Sequence, residues 1–208
     1  MMKFLLKMIM MSLILQTSYA EEFNYDYIDV SIIKYDWEST SYNFKSDGVG
    51  VYVSKDLTLP FDLPFTDLKT HIIGGYLDLE TASGVSHDFA SIGFGLSRPI
   101  NESADIVLDY LYYRYDDSTT EVRDINSIKA DIRYQYSDDV EMNVGYIHKN
   151  WYNGCCITSP SFLFKGFHAG ALYSVNDDIS LKFDMYNEKD SVLSIDSAGK
   201  EFGIRYNF

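Results

Sequence analysis

The amino-acid sequence predicts an all-β chain, an up-and-down antiparallel β-barrel of ten strands that crosses a membrane, with eight strands as the alternative count. Three observations lead there. Apolar and polar residues alternate with a period of two over ten segments. The connections between those segments alternate between short and long. The chain also opens with an export signal and holds, beyond it, no apolar run long enough for a transmembrane helix, so any membrane crossing falls to strands.

The signal occupies residues 1–20, and the barrel domain is expected over 21–208. Lys3 and Lys7 form a basic start, Met8 to Leu15 is apolar apart from Ser12, and Ser18-Tyr19-Ala20 offers small residues where a signal peptidase cuts, so cleavage before Glu21 is expected. No Cys stands at the cleavage point to take a lipid anchor. Losing Lys3 and Lys7 moves the formal charge from −14 to −16. A chain this acidic is repelled by nucleic acid, which is excluded as a partner. Many of the acids fall in predicted loops, among them Asp116, Asp117, Glu121 and Asp124, where they keep exposed segments soluble.

The ten strands are predicted at about 25–37, 46–57, 68–80, 88–98, 104–115, 125–136, 140–152, 162–175, 179–188 and 199–208. In the first, Ile28, Val30 and Ile32 share one face while Tyr35 and Trp37 fall on the other, a conflict that a bulge would reconcile. The third is equally ambiguous. The fourth sets Ala90, Ile92, Phe94 and Leu96 against Ser91, Gly93, Gly95 and Ser97. The sixth sets Ile128, Ala130, Ile132, Tyr134 and Tyr136 against Lys129, Asp131, Arg133 and Gln135. The ninth opposes Ile179, Leu181, Phe183 and Met185 to Ser180, Lys182 and Asp184. The four prolines are all assigned to connections, as the missing N–H requires. Short or Pro-marked connections are read at 59–67, 99–103, 137–139 and 176–178, and longer external loops at about 38–47, 81–88, 116–124, 153–161 and 189–197.

Alternation alone does not say which face is wet. A soluble barrel hides its apolar residues and a membrane barrel shows them, because lipid cannot satisfy a polar side chain. One face carries charges of both signs beside Gly and Ser, which suits a narrow polar interior: Asp109, Lys129, Asp131, Arg133, Lys182, Asp184, Glu201 and Arg205 are read as a lumen charge network. Aromatics near strand ends, such as Tyr110, Tyr112, Tyr134, Tyr136, Tyr152 and Tyr173, suit interfacial girdles.

The chain ends Phe202-Gly203-Ile204-Arg205-Tyr206-Asn207-Phe208. With Phe202, Ile204 and Tyr206 at every second position before a terminal Phe208, this closing strand resembles that of the porin-like, small outer-membrane β-barrel superfamily. The resemblance covers the mature chain at the level of pattern. It implies a Gram-negative outer-membrane location, outer-membrane lipid and lipopolysaccharide as surroundings, and a last strand read by the barrel-assembly machinery.

Chemistry is sparse. No Walker loop, His-Glu-x-x-His, spaced Cys pair or nucleophile elbow occurs, so no catalytic, metal or cofactor site is assigned. His87 has Ser86 and Asp88 beside it near the outer rim, but neighbours on a strand diverge, whereas a triad converges from separate segments. His148 is placed near the outer end of its strand, His71 near the inner end of the third, and His168 mid-strand and inward. The sequence therefore favours a structural or surface-interaction role through external loops, with a narrow porin for small solutes as the alternative and a lipid- or peptide-modifying enzyme third. A lumen filled by salt-bridged side chains is preferred to an open channel, because barrels of about eight strands are filled by their own side chains. Oligomeric state is not legible.

Cys155 and Cys156 adjoin each other in the seventh connection, on the oxidising side, and a local disulfide between them is expected. Mass spectrometry with and without reductant should give a two-proton difference for the purified protein, and a count of two free thiols would remove the disulfide.

Overall fold

The computed structural model describes residues 23–39, 43–57, 68–117, 123–153, 162–190 and 194–208. They form ten strands: β1 (Tyr27–Glu38), β2 (Asn43–Leu57), β3 (Lys69–Thr81), β4 (Ser86–Asn101), β5 (Ala104–Asp117), β6 (Arg123–Ser137), β7 (Val140–Asn153), β8 (Phe162–Ser174), β9 (Ile179–Asp190) and β10 (Asp196–Asn207). Each strand pairs antiparallel with the next, and β1 pairs with β10, so the sheet closes on itself. Closure leaves no edge of unpaired N–H and C=O groups, which hydrocarbon would not tolerate.

The stagger of the barrel follows from its register. From Tyr27 the paired residues run through Ser54, Ile73, Gly93, Leu111, Ser127, Lys149, Phe164 and Asp190. The row then continues through Ile195, whose carbonyl accepts from Asp190 N at 2.7 Å, and meets β1 again at Ser39, twelve residues above its start. A stagger of this kind tilts the strands by roughly 35–45° to the barrel axis.

The exterior is apolar and the interior polar. Val30, Ile92 and Ile204 are 54%, 58% and 52% exposed, while Asp29, Asp131 and Glu201 inside are 2%, 6% and 3% exposed. Lipid makes that inversion favourable, since water would leave the apolar belt unburied while the charges are satisfied inside the barrel. Outward tyrosines mark the upper border of the belt. Tyr76, Tyr110 and Tyr112 donate to Asp88, Asn126 and Asp124 at 2.7, 2.7 and 2.6 Å, each with the ring toward lipid and the hydroxyl bonded to a polar neighbour on the adjoining strand. Closed, even-stranded and inside-out in polarity, the architecture is that of an outer-membrane β-barrel.

Three sequence expectations change. No bulge is present in β1: its register against β2 and β10 is continuous, with Ile28, Val30 and Ile32 outward and Ile33, Tyr35 and Trp37 inward. The conflict arose from assuming that the inward face is polar along its whole length. The irregularities lie elsewhere, between Pro99 and Asn101 and between Gln135 and Ser137, so Pro99 sits within the last residues of β4 rather than in a connection. The strands also run further than expected, which shrinks the external connections to 39–42, 82–85, 118–122, 154–161 and 191–195 and leaves 58–68, on the opposite side, the longest. Loop length therefore says little about orientation.

The first described residues turn into the barrel mouth beside the chain ends. Tyr25 stacks on His71 with ring centroids 4.6 Å apart and donates to Asp105 at 3.2 Å, and the Arg133 guanidinium lies 4.7 Å from the Phe23 ring and 4.6 Å from the Tyr25 ring. Lys55 pairs with Asp26 just below β1 and, by that hydrogen bond, holds its carboxyl below the usual carboxylate range.

An arginine on the lipid face measures the membrane claim. Ile92→Arg, mid-belt, should lower folding stability in lipid vesicles by about 2–4 kcal/mol, against about 0–1 kcal/mol for Ile100→Arg at the boundary, read as shifts of the urea midpoint.

Candidate functional site in the lumen

The inward side chains form three storeys along the barrel axis. At the end holding the first described residues and Phe208, Phe23 and Tyr25 pack on Val107, and Arg133 binds Glu141 through two hydrogen bonds of 2.8 and 2.6 Å. The fork of a guanidinium matches both carboxylate oxygens, which fixes the pair in one geometry.

The middle storey is a charge cluster. Lys182 Nζ reaches Glu201 Oε1 at 2.7 Å, Asp29 Oδ2 at 3.2 Å and Asp184 Oδ2 at 3.4 Å. Arg205 binds Asp29 bidentately at 2.7 and 2.9 Å with its guanidinium 3.6 Å from the Tyr27 ring centroid. Glu201 accepts further bonds from Ser31 Oγ at 2.6 Å and Tyr186 Oη at 2.9 Å. Lys129 binds Asp131 at 2.8 Å, and higher up Lys149 binds Glu188 at 2.6 Å. Buried carboxylates persist in a narrow lumen only when each is paired or hydrogen-bonded in this way.

Glycines permit two of these pairings. His71, Gly95 and Asp109 stand in one row across β3, β4 and β5, and because Gly95 has no side chain His71 Nε2 meets Asp109 Oδ1 over it at 3.0 Å. His168, Gly145 and Asp131 repeat the arrangement across β8, β7 and β6, with Nε2 and Oδ1 2.5 Å apart. A Cβ on Gly95 or Gly145 would overlap both partners.

Of the eight residues read from the sequence as a network, Lys129 joins Asp131, and Lys182 joins Asp184 and Glu201. Asp109, Arg133 and Arg205 pair instead with His71, Glu141 and Asp29, three residues the sequence reading did not assign to the network. Asp29 was findable: it stands on the inward phase of β1, directly opposite Arg205. The histidine pairs were not, because they depend on a register that puts glycine between the partners. Phe202, Ile204, Tyr206 and Phe208 all face outward on the last strand. Cys155 and Cys156 lie outside the described residues.

The histidine pairs do not extend into triads. Nδ1 of both His71 and His168 is buried without a hydrogen-bond partner, so neither pair is linked through that nitrogen to a hydroxyl or thiol. His87 points inward and bonds Tyr115 Oη at 2.7 Å, while Asp88 points outward to Tyr76, so these neighbours do diverge. No cluster of three or more metal-ligating side chains occurs among the described residues.

The third storey, at the opposite mouth, is aromatic. Trp37 stacks on Phe44 at 5.6 Å and meets Phe164 edge-on at 5.9 Å, and Trp151 lies 5.7 Å from Phe164 and 6.3 Å from Phe89. These rings surround a cavity of about 150 Å³, whereas the charged middle leaves one of about 170 Å³. The sequence reading, which took the lumen as polar throughout, missed this storey.

No protein-family model and no curated protein matches the chain. Solved structures like it are barrels. The translocator domain of the autotransporter NalP from Neisseria meningitidis is 10% identical with TM-score 0.48, covering 98% of this chain and 93% of its own. The KdgM porin is 12% identical with TM-score 0.45, covering 88% and 99%. A loop-deletion mutant of OmpT, an outer membrane protein of Vibrio cholerae, is 17% identical with TM-score 0.43 over 85% of this chain, which spans only 62% of that one. By its own closed topology and apolar exterior this chain is a membrane-spanning β-barrel. What distinguishes this member is its own lumen: charged in the middle, aromatic at one mouth and stoppered at the other.

The glycine rows give a sharp test. Gly145→Ala should cost about 1–3 kcal/mol by overpacking the His168–Asp131 pair, whereas Gly74→Ala, whose Cβ would come no nearer than 3.7 Å to Ser91 O, should be tolerated in the same unfolding assay.

Proposed function

We propose that this chain is an outer-membrane barrel with a filled lumen that acts by binding at its external mouth rather than by conducting solutes. The observation that carries the reading is the cluster around Lys182, where one ammonium gathers Asp29, Asp184 and Glu201 and ties them through Asp29 to Arg205. Such a knot crosses the middle of the lumen beside the cavity of about 170 Å³, with side chains held by several bonds, and moving one to widen the passage would strip a buried charge of its partner. The stopper of Phe23 and Tyr25 below it supports the same reading. Outer-membrane lipid and lipopolysaccharide surround the belt, and Phe202, Ile204, Tyr206 and Phe208 serve as the strand that the barrel-assembly machinery reads. No enzymatic step belongs to this reading, since neither His–Asp pair meets a nucleophile among the described residues.

Planar-bilayer recording separates binding from conduction. The folded protein should give no steady current steps at moderate voltage. Steady, ion-selective steps would replace this reading with that of a narrow porin.

A further inference from the structure

We propose that the aromatic storey is a binding cup for a single-ring aromatic acid, a benzoate-class molecule with one planar apolar ring and one anionic oxygen group. The strands around this mouth need only polar inward residues to fill a barrel, yet they supply Trp37, Phe44, Leu79, Phe89, Trp151 and Phe164. If these served only as a plug they would close on one another, because protein interiors leave few voids larger than a water. They leave about 150 Å³ instead. Apolar cavities of roughly that volume accommodate one benzene ring. The edge-on and stacked ring geometry around it suits a flat aromatic guest.

Two polar atoms in the wall specify the rest of the ligand. Trp151 Nε1 and Ser46 Oγ are both buried with no hydrogen-bond partner. The indole N–H only donates, and since Trp151 lines the cup a small turn of its ring would bring that N–H from its buried position to an acceptor on the guest. Leaving it unmet costs about 1–3 kcal/mol, which an incoming oxygen would recover. At the rim, Arg123 lies 5.9 Å from the Tyr115 ring and 6.0 Å from the Phe162 ring, and no carboxylate pairs with it among the described residues. A buried donor and a cation on the same cup select an anion over a neutral or cationic guest. The volume selects a ring over a long acyl chain. This cup does not depend on whether the lumen below it conducts, so the bilayer recording and the binding test fail independently.

The chain provides its own reporter. Its two tryptophans, Trp37 and Trp151, both line the cup, so intrinsic fluorescence reads this site alone. The mature protein, folded in detergent micelles and checked by heat-modifiable gel mobility, would be titrated with benzoate, toluene, acetate and octanoate. Benzoate should give a saturable change at micromolar to millimolar concentration, and acetate none. Arg123→Gln should weaken benzoate by about tenfold, as expected for loss of a hydrogen bond to a charged group, and leave toluene unchanged. Trp151→Phe, read through Trp37, should weaken benzoate as well, and Ser46→Ala provides a third variant should either of these fail to fold. Absence of any saturable change with benzoate overturns the proposal. So does tighter binding of octanoate than of benzoate, which would mark an acyl-chain site, or equal binding of toluene and benzoate with Arg123→Gln silent, which would mark an unselective apolar plug.

Discussion

Lipid offers no hydrogen bonds, and the whole molecule is arranged around that constraint. The pairing of β1 with β10 satisfies the last open backbone edge, and the twelve-residue stagger of the ladders lets the sheet curve to meet it. Once closed, the barrel has two surfaces under opposite rules. The outer one must be apolar through the belt. The inner one must accommodate every polar side chain that the period-two alternation sends inward. A narrow cylinder has no room to hydrate them freely, so they are resolved against each other.

The inner surface resolves them by storey. At mid-height, carboxylates outnumber the cations near them, and partners are shared: Lys182 serves three acids and Asp29 serves both Lys182 and Arg205. Glycine is the spacer that makes sharing feasible across strands, since a residue without a side chain lets its two row neighbours meet over it, as at Gly95 and Gly145. Above this, beyond Lys149 and Glu188, most of the inward positions turn aromatic. The transition falls within single strands: β1 sends Asp29 and Ser31 inward low down, then Ile33, Tyr35 and Trp37 higher up.

That transition explains what was legible in the sequence. Alternation located all ten strands, because the period of a strand is a local property and lipid keeps one face uniformly apolar. The charged inward residues of β6, β9 and β10 were legible for the same reason. Tyr35 and Trp37 suggested a bulge because the two faces of β1 exchange polarity at that height: Lys34, Asp36 and Glu38 point outward above the belt while Ile33, Tyr35 and Trp37 point inward, so the apolar phase shifts by one residue without any change of register. Asp29 and Glu141 carry no mark of their own in the sequence. Their importance comes from the residues set opposite or diagonal to them by register, which no single strand records. The aromatic cup depends on six strands arriving at one height, information held only in the stagger.

The bond between Asp29 and Arg205 spans the entire chain, since one stands in the first strand and the other in the last. While the sheet is still open at that join, Asp29 has neither Arg205 nor a fixed Lys182, and the interior holds an uncompensated carboxylate facing an uncompensated guanidinium. The final zipping step is therefore the one that neutralises the interior. Electrostatics therefore widens the gap between the closed barrel and one whose first and last strands are still apart. The seam thus couples closure of the backbone ladder to neutralisation of the interior.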